Sequence, residues 1–168
     1  MKQTLIIWST VVDVIIKIPH LPKTEEDINV ISQQQMLGGC AYNVSNMLYL
    51  EHTPYTLCSP VGTGLYAEFV ERELSKKGLV PFITLKDIVN GCCYCFVEDS
   101  GERTFISHHG AEYLFDRKWM KKIDPLTVEF VYICGLELEE KTANEIVCYL
   151  EENPILKYCL PLDHVLII

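Results

Sequence analysis

The stretch Met36-Leu37-Gly38-Gly39-Cys40-Ala41-Tyr42-Asn43-Val44-Ser45-Asn46-Met47-Leu48 changes its period in the middle. Before the glycine pair, Ile28 to Met36 reads as a strand; after it, Val44, Met47 and Leu48 fall at helical spacing, predicting a helix over Cys40–Leu50. Two glycines at such a junction let another group approach the backbone closely, and the first helical turn carries N–H groups without intrahelical partners. Asn43 then sits in that first turn with an amide aimed at the same space. Alone, a glycine pair reads first as a tight turn.

Upstream, Leu5 to Trp8 and Val11 to Ile18 are rich in β-branched residues and read as strands, closed by Pro19 and Pro22. Asp13 interrupts the second of them. A carboxylate between Val11-Val12 and Val14-Ile15-Ile16 is costly to bury unless it is paired or used, so it lies at a strand end or serves a site. Downstream, Tyr55 to Ser59 is a short strand, Gly62-Thr63-Gly64 a loop, and Tyr66 to Lys77 a helix stopped by Gly78. Leu79 to Leu85 returns as a strand. Cys93–Glu98 and Arg103–Ser107 flank the turn sequence Asp99-Ser100-Gly101-Glu102, predicting a hairpin. Phe115 to Lys122 reads as helical, Val128 to Cys134 as a buried strand and Leu138 to Leu150 as a helix. Strands alternating with helices imply a parallel α/β sheet, and the two strand pairs that break the alternation imply a second, smaller sheet.

Composition sets the class. The chain has 168 residues, 49% hydrophobic and 22% charged, enough for one domain with a real core. With 23 acidic against 14 basic residues the formal charge is −9, which argues against nucleic acid as a partner. No apolar run reaches the ~20 residues of a membrane span. Most of the eight cysteines lie inside apolar runs, where free Cys behaves as a small buried hydrophobe. The expectation is a reduced, cytoplasmic protein. Cys92, Cys93, Cys95, His108 and His109 lack a recurring Cys-x2-Cys pair, so they read as structural rather than metal-binding.

Taken together, Asp13, Pro19-His20-Leu21-Pro22, Gly38-Gly39-x-Ala-x-Asn43, Val61-Gly62, Gly101-Glu102-Arg103-Thr104-Phe105, Gly110-Ala111 and Tyr132-Ile133-Cys134-Gly135 occur in an order that resembles the ribokinase, or PfkB-type, carbohydrate kinase family. The resemblance runs from Met1 to about Pro154. It implies a ribokinase-like three-layer α/β sandwich with a small β-sheet lid, the lid segments being about 14–37 and 92–107 of a single domain, 1–168. It also implies that Asp13, Gly38, Gly39 and Asn43 bind the hydroxyls of a sugar or nucleoside, with ATP and Mg2+ serving the full-length family. Glu137 is a further acid that could reach the sugar or belong to a solvated face.

Two departures from the family pattern stand out. The residue after the first strand, usually Gly, is Trp8, and its indole is expected to crowd the site. The family's second half, with the nucleotide site and a Gly-Ala-Gly-Asp loop whose aspartate is the catalytic base, has no counterpart here. The resemblance therefore implies the amino-terminal, substrate-binding part of a kinase, inactive alone; the rival is a non-catalytic sugar-binding or interaction protein. Lid strands or an exposed flank would then support a homo-oligomer. The last residues, Cys159 to Ile168, permit a codon choice that, read from the third base of the Tyr158 codon, yields Leu-Leu-Ala-Pro-Gly-Pro-Arg-Ile-Asn. That resembles the family's next segment, and predicts a frameshift near Tyr158.

Overall fold

A computed structural model describes residues 2–134 and 142–159. Three strands and a short fourth form one parallel sheet in the order β10-β9-β1-β4, built from β1 (Gln3–Ile7), β4 (Tyr55–Cys58), β9 (Val128–Ile133) and β10 (Lys157–Cys159). Leu5 and Ile7 of β1 and Val131 and Ile133 of β9 face a buried core completed by Phe115, Met120, Ile146 and Tyr149. Ile146 and Tyr149 come from α3 (Ala143–Glu152), and Met120 from a 3-10 helix at Arg117–Lys122. Helix α1 (Cys40–Leu50) lies against β1 and β4. The architecture is the ribokinase-like α/β fold.

The segments that broke the alternation meet in one four-stranded sheet, β3-β2-β7-β8. It contains β2 (Val11–Lys17), β3 (Ser32–Gly38), β7 (Cys92–Val97) and β8 (Arg103–His108). β2 runs antiparallel to β3 and parallel to β7, and β7 and β8 form the hairpin. Period-two alternation gives this sheet two unlike faces. Val12, Val14, Ile16 and Cys92 are buried against Val70 and Leu74 of α2 (Leu65–Ser75), while Asp13 and Cys93 face the other way.

Several elements differ from expectation. Gly62-Thr63 is strand, not loop: β5 (Pro60–Thr63) pairs in parallel with β6 (Ile83–Val89). Burial of Val61 and the pairing itself override the glycine signal, which is a local one. β6 begins four residues after the predicted strand start at Leu79, because Leu79 and Phe82 pack against the cores instead of pairing. β3 likewise starts at Ser32 rather than Ile28. The turn over Arg117–Lys122 is 3-10, capped by the Asp116 carboxylate accepting from the Lys118 amide at 2.8 Å. Gly135, Glu137 and the segment 160–168 lie outside the described residues.

Candidate substrate site

Asp13 stands on β2 between Met36 of β3 and Cys93 of β7, on the face turned away from α2. Its carboxylate is half-buried, and burial pushes its pKa above the ordinary carboxylate value. Among the described residues no N–H or O–H donates to it. Beside it, Cys93 pairs with Ser107 of β8, and burial raises the Cys93 thiol. Asp13 is thus a carboxylate set between Met36 and Cys93 on a sheet whose other face is apolar core.

Gly38 lies directly against this carboxylate. A Cβ there would sit 2.0 Å from Asp13 Oδ2, so only glycine leaves the aspartate its place. Gly39 follows with φ of 90°, a conformation that L side chains rarely adopt, and a Cβ on it would meet the Ser9 carbonyl oxygen at 2.7 Å. That turn delivers the chain into α1. The structure therefore brings Asp13, Gly38 and Gly39 together at one point.

Asn43 is placed less directly. Its amide donates to the Gly39 carbonyl at 2.9 Å, within the first turn of α1, and the Tyr42 amide donates to the Ser9 carbonyl at 3.3 Å. The first is the ordinary opening bond of the helix; the second occupies one of the helix-start donors expected to be open. The Asn43 side chain is exposed and lines a shallow cleft of roughly 480 Å³ around β3, with Gln35, Leu37 and Phe69. Asp13 does not line that cleft. Lys77 does: its ammonium donates to the Tyr42 hydroxyl at 2.8 Å and to Asn46 Oδ1, and stands 4.9 Å from the centre of the Tyr42 ring.

Trp8 corrects an expectation. Its indole does not intrude on Asp13 but is fully buried in the core beneath the parallel sheet, stacked on Phe115 with ring centroids 6.1 Å apart. The backbone explains why glycine suits this position: Trp8 has φ of 101°, a region costly for a bulky residue. Among the described residues its buried Nε1 has no hydrogen-bond partner.

Sequence reasoning missed three residues near this region. Glu112 is fully buried and accepts from the Gly91 amide at 2.8 Å and the Gly110 amide at 2.9 Å. Asn90, also buried, accepts the Gly62 amide on its Oδ1 at 2.5 Å. Ser59 accepts the Thr10 amide at 3.0 Å, tying the start of β2 to the end of β4. The nearest signal was Gly110-Ala111, read as part of the family pattern without its acidic neighbour.

This fold, with a carboxylate and a glycine pair on a sheet beside the start of α1, is the ribokinase-like one. The description "pfkB family carbohydrate kinase" matches residues 1–163, and the chain belongs to that family. It is 30% identical over 151 residues to the uncharacterised sugar kinase YegV of Escherichia coli K12, covering 90% of this chain and 47% of that protein. Ribokinase from Giardia lamblia shares the fold with a TM-score of 0.81 at 16% identity, over 99% of this chain and 56% of the other. A Burkholderia thailandensis nucleoside kinase, solved with inosine, gives a TM-score of 0.70 at 15% identity, over 96% of this chain and 51% of the other. The chain thus spans about half the length of the relatives it matches.

Proposed function

We propose that these residues are the sugar- or nucleoside-binding part of an ATP-dependent kinase of this family, with Asp13 accepting ligand hydroxyls and Gly38, Gly39 and Asn43 bordering the ligand. One observation carries the reading: Asp13 is a half-buried carboxylate to which none of the described residues donates. Such a group is an unfilled acceptor, and adjacent hydroxyls on a ligand are the donors that fill it. The four-stranded sheet then acts as the lid over the ligand, excluding water from it.

The sequence contains no Gly-Ala-Gly-Asp run, and among the described residues no group of three or more His, Cys, Asp or Glu is placed to hold a metal ion. These residues fit a hydroxyl-bearing ligand. The chain alone is therefore proposed to bind without transferring phosphate, and to do so in the cytoplasm; among the described residues no helix is long and apolar enough to cross a membrane. Calorimetry with D-ribose, D-fructose and inosine tests the reading. At least one should bind saturably to the wild type and fail with Asp13→Asn; no binding by any of the three overturns it.

A second reading has its own observation. Met36 and Phe105, on the Asp13 side of the four-stranded sheet, are 51% and 60% exposed. Apolar exposure of that kind supports self-association through the sheet. A monomer in sedimentation at micromolar concentration would remove this reading.

A further inference from the structure

We propose that Glu112 is a positioning residue that anchors the β7–β8 hairpin at both of its roots, and so sets the wall beside Asp13. Gly91 immediately precedes β7, and Gly110 follows β8 by two residues. One carboxylate takes both amides: Oε2 accepts from Gly91 and Oε1 from Gly110, at 2.8 and 2.9 Å. A buried carboxylate is expensive unless its lone pairs are filled, and here two backbone donors fill them.

The surrounding packing makes the anchor specific to the hairpin roots. A Cβ on Gly110 would fall 2.3 Å from the Gly91 nitrogen, and one on Gly91 would fall 1.7 Å from the His108 carbonyl oxygen. The two roots are in backbone contact, with no side chain between them. Their N–H groups point to a single acceptor, and Glu112 supplies it. Asn90, one residue before the root, is tied by its own amide to the Thr63 carbonyl at 3.0 Å and by its side chain to Gly62. The base of the hairpin is thereby fastened to β5, outside the four-stranded sheet. From that base β7 carries Cys93 beside Asp13, and β8 carries Ser107 beside Cys93.

The anchor stands on these contacts; its consequence for ligand rests on the substrate-site reading above. The test has two parts. In the wild-type chain, amide exchange followed by NMR should show Gly91 and Gly110 as slow as the amides of the β2–β7 ladder, although both lie outside the strands. Exchange of either at an unprotected rate overturns the proposal, with no variant needed.

Glu112→Gln keeps the shape but turns an N–H2 toward one of the two donors. It should speed exchange at Gly91, Gly110 and residues 92–97 by about tenfold or more while leaving β1 and β9 unchanged. It should also weaken whichever of D-ribose, D-fructose or inosine binds the wild type by about tenfold. Equal acceleration in β1 and β9 would make Glu112 an ordinary core residue and overturn the proposal, as would unchanged affinity. If the wild type binds none of the three, the substrate-site reading fails and the effect on ligand fails with it. Protection at Gly91 and Gly110 still decides the anchor separately.

Discussion

Asp13 and Glu112 are both carboxylates drawn out of water, and both have their pKa raised chiefly by burial. They differ in what meets them. Glu112 is fully enclosed and receives two backbone amides; Asp13 is half-enclosed and receives none from the described residues. The first has spent its acceptor capacity on holding the fold, and the second has kept it. Burial alone marks neither as functional; the count of donors separates them.

The comparison breaks most readily at Glu112. Glu112→Ala leaves the Gly91 and Gly110 amides buried without an acceptor, at about 1–3 kcal/mol each, so a loss of about 4 kcal/mol is expected in denaturant melts. A loss below about 1 kcal/mol would show that water replaces the carboxylate and that the two acids are alike.

Trp8→Gly comes next. Removing a fully buried indole costs about 3–5 kcal/mol, offset by about 1–2 kcal/mol from relief of the positive φ and by loss of an Nε1 that has no partner among the described residues. The expected net loss is about 2–3 kcal/mol, with ligand affinity unimproved. A more stable variant with tighter binding would instead place the indole against Asp13.

Asp13→Asn should move the other way. Because the folded state holds the Asp13 proton more tightly than the unfolded chain does, ionisation costs stability at neutral pH. That cost fades as pH falls through the raised folded value toward the unfolded 3.8. The amide removes it, so Tm at about pH 7 should rise by about 1–2 °C, the effect being held small by solvent screening of a half-exposed group. The gap between variant and wild type should close in acid while ligand binding is lost at neutral pH. A lower Tm for the variant at neutral pH would mean that an unseen donor already fills Asp13.

Glu73→Gln sharpens the contrast from the bottom. Glu73 accepts from Lys76 at 2.7 Å and pairs with Arg72 at 3.3 Å on the open surface of α2, and these partners lower its pKa. Exposed pairs of this kind leave Tm unmoved within error, and a clear drop would show that the helix surface is not the neutral background assumed for the two buried acids.

Some of this was legible from residues in a row. The limits of α1 at Cys40 and Leu50 follow from Gly39 and the spacing of its apolar residues. The β7–β8 hairpin follows from Asp99-Ser100-Gly101-Glu102, where Gly101 takes φ of 89°. Asp13 stood out because a charge interrupts a β-branched run. β5 was not legible, since Gly62 and Gly64 signal a turn and only pairing with β6 makes the segment a strand. Trp8 was misjudged because neighbours in sequence do not tell which core a side chain enters.

From its residues alone this chain determined where its helices and strands change and which family it resembles; the proposed role of Asp13 beside Gly38-Gly39 comes from that resemblance. Only the tertiary structure decided that Glu112 is closed by two amides and that Trp8 is core. The physical reason is that a polar group's role depends on its donors. The Gly91 amide that fills Glu112 comes from 21 residues away, and Asp13 receives no donor from the described residues because β3 and β7 bring a bare glycine, a methionine and a thiol to its side instead of an amide.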